Sequence, residues 1–247
     1  MRYYTQTKAR EQHAELGAYA ARRNGELKEI FRDEHELLIE YECLITGLVL
    51  ILGKIPPQEK TQGAIRDLVA DVFDTLYVAR SVVFQSYSLV AFPLLRHAFE
   101  CIILIQYFVL KPEAIREWEK KGQLSFGQVR QFLSKHPMGE NEDKMKQAYS
   151  FFSGGTHVNR EYIPHRFLGE GNGFVLGAVA MPDLQGVGEY IRWLVNLWFW
   201  FGAVASYTFH KQVVNEPEYQ ISYRTTAAKC QVVYTALVSK LATFGDT

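Results

Sequence analysis

The sequence predicts an all-α fold, a single-domain helical bundle with a Gly-rich loop region able to hold a small β-hairpin, and three observations carry this. Apolar residues recur at i, i+3, i+4 and i+7 over most of the 247 residues, the stripe of an amphipathic helix. The segment Ser86–Leu110, SYSLVAFPLLRHAFECIILIQYFVL, contains Arg96, His97 and Glu100 and is otherwise almost wholly apolar or aromatic, so it is expected to cross the middle of the fold. Residues 154–188 hold eight of the 18 glycines and show no helical stripe.

The elements follow in order. Residues 1–57 read as N-terminal helices, with five basic and two acidic groups in 1–23 against two basic and seven acidic in 24–42; two solvated helix faces explain this split. Leu38, Tyr41, Leu44, Ile45, Leu48, Val49 and Leu52 form a stripe stopped by Pro56-Pro57. Residues 58–153 supply central helices. Their first stripe runs from Ile65 to Tyr87, and Arg80 interrupts it either as a buried cation or with its head reaching solvent. Pro93 predicts a break or kink near Phe92, with the next helix starting there. Pro112 opens a short helix with Lys120 and Lys121 late and Gly122 just beyond. Ser125 can cap a helix to about Lys135, and Asn141–Phe152 reads as another that ends at Gly154-Gly155. Within the excursion 154–188, the runs around 165–168 and 174–181 could pair as a hairpin. Residues 189–247 carry a closing helix pair, about Val187–Val213 and Thr226–Phe244, that adds aromatic and apolar groups to the core.

Composition excludes several function classes. Lys+Arg and Asp+Glu are both 27, and a neutral total argues against a dedicated nucleic-acid binder. Trp193–Phe209 has no charge, but its 17 residues include Asn196, Ser206 and Thr208; a buried helix is expected there rather than a membrane span. Cys43, Cys101 and Cys230 are far apart with no CxxC, and each lies in apolar sequence. Lone buried thiols fit a reducing compartment, and the opening residues lack a signal peptide's apolar core, so a cytoplasmic location is expected. The aromatic surplus suits a homo-oligomer built through a helix face.

Arg96 and Glu100 stand four apart, on one face of a helix and within reach of each other. Charges in apolar sequence need partners, so the pair is either a binding site or a salt bridge that ties helices together. The loop Ser153–Asn159, SGGTHVN, places Ser153, His157 and Asn159 on a glycine turn able to hold an anion; the alternative is a plain helix stop. His157, Glu161 and His165 have metal-ligand spacing, but Pro164 breaks the helix they would need, so no metal and no cofactor is assigned. No nucleophile elbow, zinc-protease helix or dinucleotide fingerprint occurs, and no Cys is expected beside a His in a nucleophile setting.

Arg160 and His165 match R-x(4–6)-H, and so do Arg130 and His136. The first match resembles the signature of the HEPN family of helical proteins, many of them ribonucleases. The resemblance implies that Arg160 positions phosphate and His165 assists attack by a ribose hydroxyl; Pro164 departs from the helical setting of that motif. A second resemblance rests on Phe92–Glu100 (FPLLRHAFE), Lys111–Trp118 (KPEAIREW) and Ala148–Ser153 (AYSFFS) followed by His157. Together these resemble a bacterial family known as domain of unknown function 5677, over roughly residues 60–210. The resemblance implies an all-helical fold with Arg96, Glu100 and His157 drawn together, and it implies no activity.

Two functions therefore stand as expectations. One is a helical binding or regulatory protein whose pocket of Arg96, Glu100, Ser153, His157 and Asn159 takes a small anionic ligand, nucleotide or partner. The other is a metal-independent ribonuclease acting on RNA through Arg160 and His165.

Overall fold

A computed structural model describes residues 5–54, 60–122, 124–156, 167–168, 173–174 and 184–244. Among them the fold is all-α, as the apolar periodicity predicts. The order is α1 (Gln6–Ile30), α2 (Arg32–Gly53), α3 (Lys60–Phe84), α4 (Ser88–Leu110), α5 (Ala114–Lys121), α6 (Phe126–Lys135), α7 (Glu142–Thr156), β1 (Phe167–Leu168), β2 (Gly173–Phe174), α8 (Leu184–Thr208), α9 (His210–Val213) and α10 (Pro217–Phe244). The two short strands pair antiparallel, Phe167 opposite Phe174 and Leu168 opposite Gly173.

The stripes become the core. Leu38, Tyr41, Leu44, Ile45 and Leu48 of α2 and Ile65, Val69, Val72, Leu76 and Val83 of α3 are buried. Leu95, Phe99, Ile102 and Ile103 of α4 and Leu194, Trp198 and Phe201 of α8 are buried as well. Val90–Leu110 is long and apolar enough to cross a membrane by length and composition; here that segment lies against α3, α6, α7 and α8. Two edges of the stripes are wet: Val49 and Tyr77 are exposed.

Several boundaries differ from the sequence expectation. Pro93 lies inside α4, which begins at Ser88. The helix continues because Ala91, Phe92 and Leu95 around the proline are buried, and tertiary packing outweighs the one backbone bond that proline removes close to the helix start. Helix α7 runs through Gly154-Gly155 to Thr156; its start is fixed by the Asn141 side chain, which accepts from the backbone N–H of Asp143 and of Lys144. The first closing helix is divided at Phe209, where φ is −105° and ψ 25°. Just before it, the Thr208 hydroxyl donates to the Val204 carbonyl at 2.6 Å, a back-bond that weakens a helix turn. Helix α10 opens at Pro217, well before Thr226, in keeping with proline's fitness for a first turn. Gly122 caps α5 with φ +70°, as its position predicts.

α1 and α2 meet without a loop, at Phe31, which is buried and packs edge-on to Phe244. Lys240 of α10 closes this corner: its Nζ donates to the Ile30 carbonyl at 3.2 Å and to Glu34, whose side chain is 1% exposed, at 2.7 Å. Lys229 likewise pairs with Glu40 at 2.6 Å. The closing helices thus contribute ion pairs as well as core, because α10 lies along the acidic run of α2.

The corner between α3 and α4 turns on Ser86, a buried residue with φ +61°. The Tyr87 N–H reaches back to the Val82 carbonyl and the Ser86 N–H to that of Val83, the paired bonds of a glycine-type helix stop made by a serine.

Candidate functional site

Helix α4 presents Arg96 and Glu100 toward α7, and the two meet as their spacing predicts: Arg96 Nε donates to Glu100 Oε1 at 2.9 Å. The side chains are 26% and 29% exposed, so the pair is half-buried rather than sealed. Arg96 Nη2 also donates to the Tyr149 hydroxyl at 2.9 Å, and its Cζ lies 5.0 Å from that ring's centroid. A second guanidinium reaches the same ring from α6, with Arg130 Cζ 4.7 Å from the centroid. Phe126 stacks beside the ring at 6.2 Å. Among the described residues Arg130 has no carboxylate within ion-pair distance, and Glu142, which senses its charge, is paired with Lys146 at 2.8 Å. Two cations, one of them paired with a carboxylate, therefore meet at one tyrosine ring, and cations gather over aromatic faces because the ring quadrupole attracts them.

Ser153 follows Tyr149 one turn later on α7 and is half-buried. His157, Asn159, Arg160, Glu161 and His165 lie outside the described residues. Of the expected pocket, the structure therefore brings together Arg96 and Glu100, with Ser153 on the helix that supplies Tyr149. Tyr149 and Arg130 were missed as site residues. The signal for Tyr149 was present in the Tyr/Ser-rich helix end. Arg130 was noted only in a motif match with His136, whose ring instead stacks on Phe132 and accepts the Met138 N–H.

On the neighbouring row of α4, His97 and Cys101 face α3. His97 Nε2 lies 2.7 Å from Asp71 Oδ2, and Cys101 Sγ lies 3.5 Å from that oxygen and 3.7 Å from Nε2. A Cys does stand beside a His here, four apart on a helix, a spacing legible in the sequence, but not in a nucleophile setting. The cluster is not a nucleophile triad. Its carboxylate and thiol approach the same imidazole nitrogen, so the ring cannot relay a proton between them. Burial pushes the Cys101 thiol up to about 12, with the Asp71 and Glu100 charges acting the same way, so the free thiol is protonated at neutral pH. Cys43, expected to be buried, is exposed; it lines a cleft of about 600 Å³ between α2 and α10 with Glu40, Tyr219 and Thr226.

Arg80 resolves as a partnered, mostly buried cation. It bonds Glu42 of α2 through Nε and Nη2, and its Nη1 lies 3.1 Å from His35 Nε2. Burial raises the Glu42 carboxyl against the pull of Arg80, and it lowers the His35 imidazole to about 4, assisted by Arg80 and Lys28. A paired cation with both neighbours committed is a fastening between α2 and α3.

The chain was compared with protein-family models, curated proteins and solved structures, and none of them matches it.

Proposed function

We propose that this chain is a helical binding or regulatory protein whose Arg96–Glu100–Arg130–Tyr149 cluster recognises a small anionic ligand of the phosphate or nucleotide class. The observation that carries this reading is the second guanidinium: Arg130 sits on the Tyr149 ring beside Arg96 with no carboxylate paired to it among the described residues. Planar guanidinium groups bind phosphate oxygens two at a time, and the tyrosine holds both cations in place before a ligand arrives. Ser153, on the same helix as Tyr149, offers a further hydroxyl donor; His157 and Asn159, expected in this pocket from the sequence, lie outside the described residues. The three unlinked cysteines suit action in the cytoplasm.

Thermal-shift and calorimetric titration with pyrophosphate and with ATP test this. Binding at 100 times Kd adds about 2.7 kcal/mol of apparent stability, a rise of several degrees in Tm. Arg130→Ala and Arg96→Ala should each abolish the shift. A shift that persists in both variants, or none with either ligand, counts against the site. The ribonuclease reading rests on the Arg160 and His165 motif. Metal-free cleavage of total RNA that is lost in His165→Ala, but retained in Arg96→Ala, would replace the binding reading with it.

A further inference from the structure

We infer that Asp71, His97 and Cys101 form a binding site for a thiophilic divalent metal ion of the zinc class, with a fourth coordination position facing solvent. One carboxylate oxygen, one imidazole nitrogen and one sulfur converge with all three atoms within 4.8 Å of one another. Ordinary zinc bond lengths of about 2.3 Å to sulfur and about 2.0 Å to nitrogen or oxygen give tetrahedral edges of roughly 3.5 Å to sulfur and roughly 3.3 Å from nitrogen to oxygen. The sulfur edges here are 3.5 and 3.7 Å. Only the His97–Asp71 separation, 2.7 Å, must open, and rotation of two half-exposed side chains provides that.

The supporting frame is rigid. His97 and Cys101 are successive turns of α4, and Asp71 comes from α3, the helix with which α4 makes its most extensive contact among the described residues. Sites carried on packed helices hold their geometry better than sites on loops. Exposure is graded in a useful way: the Asp71 and His97 side chains are 49% and 52% exposed, whereas Cys101 is 6% exposed. An ion can therefore enter from solvent, and the soft ligand is shielded from oxidants. A thiolate with an imidazole selects zinc-like ions over magnesium or calcium, which favour all-oxygen shells. Binding replaces the thiol proton, which leaves to water, with the metal–sulfur bond.

The site is independent of the anion cluster, since neither Arg96 nor Arg130 belongs to it. The test is a Co(II) titration of tag-free apo protein followed by absorption. The expected result is one equivalent bound, with a thiolate-to-cobalt charge-transfer band and the strong visible bands of four-coordinate Co(II), both erased by added Zn(II). Cys101→Ser should remove the charge-transfer band, and Asp71→Asn and His97→Ala should each weaken binding at least tenfold. Circular dichroism checks folding; His97→Ala alters an exposed side chain, so that arm remains decisive if Cys101→Ser unfolds. Absence of the band in folded wild-type protein, its survival in Cys101→Ser with Cys43 as the source of sulfur, or unchanged affinity in His97→Ala would each overturn the assignment.

Discussion

Arg80 of α3 and Glu42 of α2, 38 positions apart in sequence, meet through two hydrogen bonds of 2.5 and 3.0 Å, with side chains 14% and 10% exposed. Removing one member of such a pair leaves the other as an uncompensated buried charge, which costs about 3–5 kcal/mol. Arg80→Ala should therefore lower stability by about 3 kcal/mol in urea denaturation. The double variant Arg80→Leu with Glu42→Leu should recover most of that loss, because apolar pairs of similar size replace buried ions at little cost. Equal losses in the two variants would assign the stability to the arginine's packing instead.

The same cluster makes stability depend on pH. His35 has a folded-state pKa of about 4 against an ordinary 6.5, with burial the largest cause and Arg80 and Lys28 next. The unfolded chain therefore takes up the proton first, and the stabilisation is complete above about 6.5 and lost as pH falls through about 4. Glu42, raised by burial, acts in the opposite direction. Tm should fall between pH 6.5 and 4 in the wild type, and His35→Gln should flatten that part of the curve. Parallel curves for the two proteins would refute the assignment to His35.

Tyr149 has two separable roles. Tyr149→Phe keeps the ring under both guanidinium groups and deletes the hydrogen bond to Arg96, so stability should fall by about 1 kcal/mol, as for a half-exposed bond. Tyr149→Leu removes the ring as well and should release both arginines. Anion affinity should then survive the first substitution better than the second, which calorimetry can read directly.

Ser86 holds φ +61° although it is not glycine, and its hydroxyl has no hydrogen-bond partner among the described residues. Left-handed backbone costs an L-residue roughly 1 kcal/mol that glycine does not incur. Ser86→Gly should accordingly stabilise the protein by about 1 kcal/mol, and Ser86→Val should destabilise it. A loss on Ser86→Gly in chemical denaturation would show that the hydroxyl is held after all.

Local pattern made most of the helices legible, and it made the Arg96–Glu100 pair legible too, because four residues along a helix is a fixed distance. What it could not give was any partner from another helix. Arg80 stood out as an interruption of its stripe, yet Glu42 looked like one more charge on an acidic face until α2 and α3 were packed together. Asp71 was equally silent, although the four-residue spacing of His97 and Cys101 already put those two side chains on one face of a helix. Pro93 misled for the opposite reason: a local rule against helix was outweighed by the burial of Ala91, Phe92 and Leu95 on either side of it.

Lys240 works as a clasp at the corner between the first two helices, joining the last helix to the carbonyl that terminates the first and to a sealed acid on the second. Shortening the protein to before that lysine would strand the Glu34 carboxylate in a dry setting and loosen the Phe31 elbow together with it. A reporter joined beyond Phe244 leaves the clasp whole.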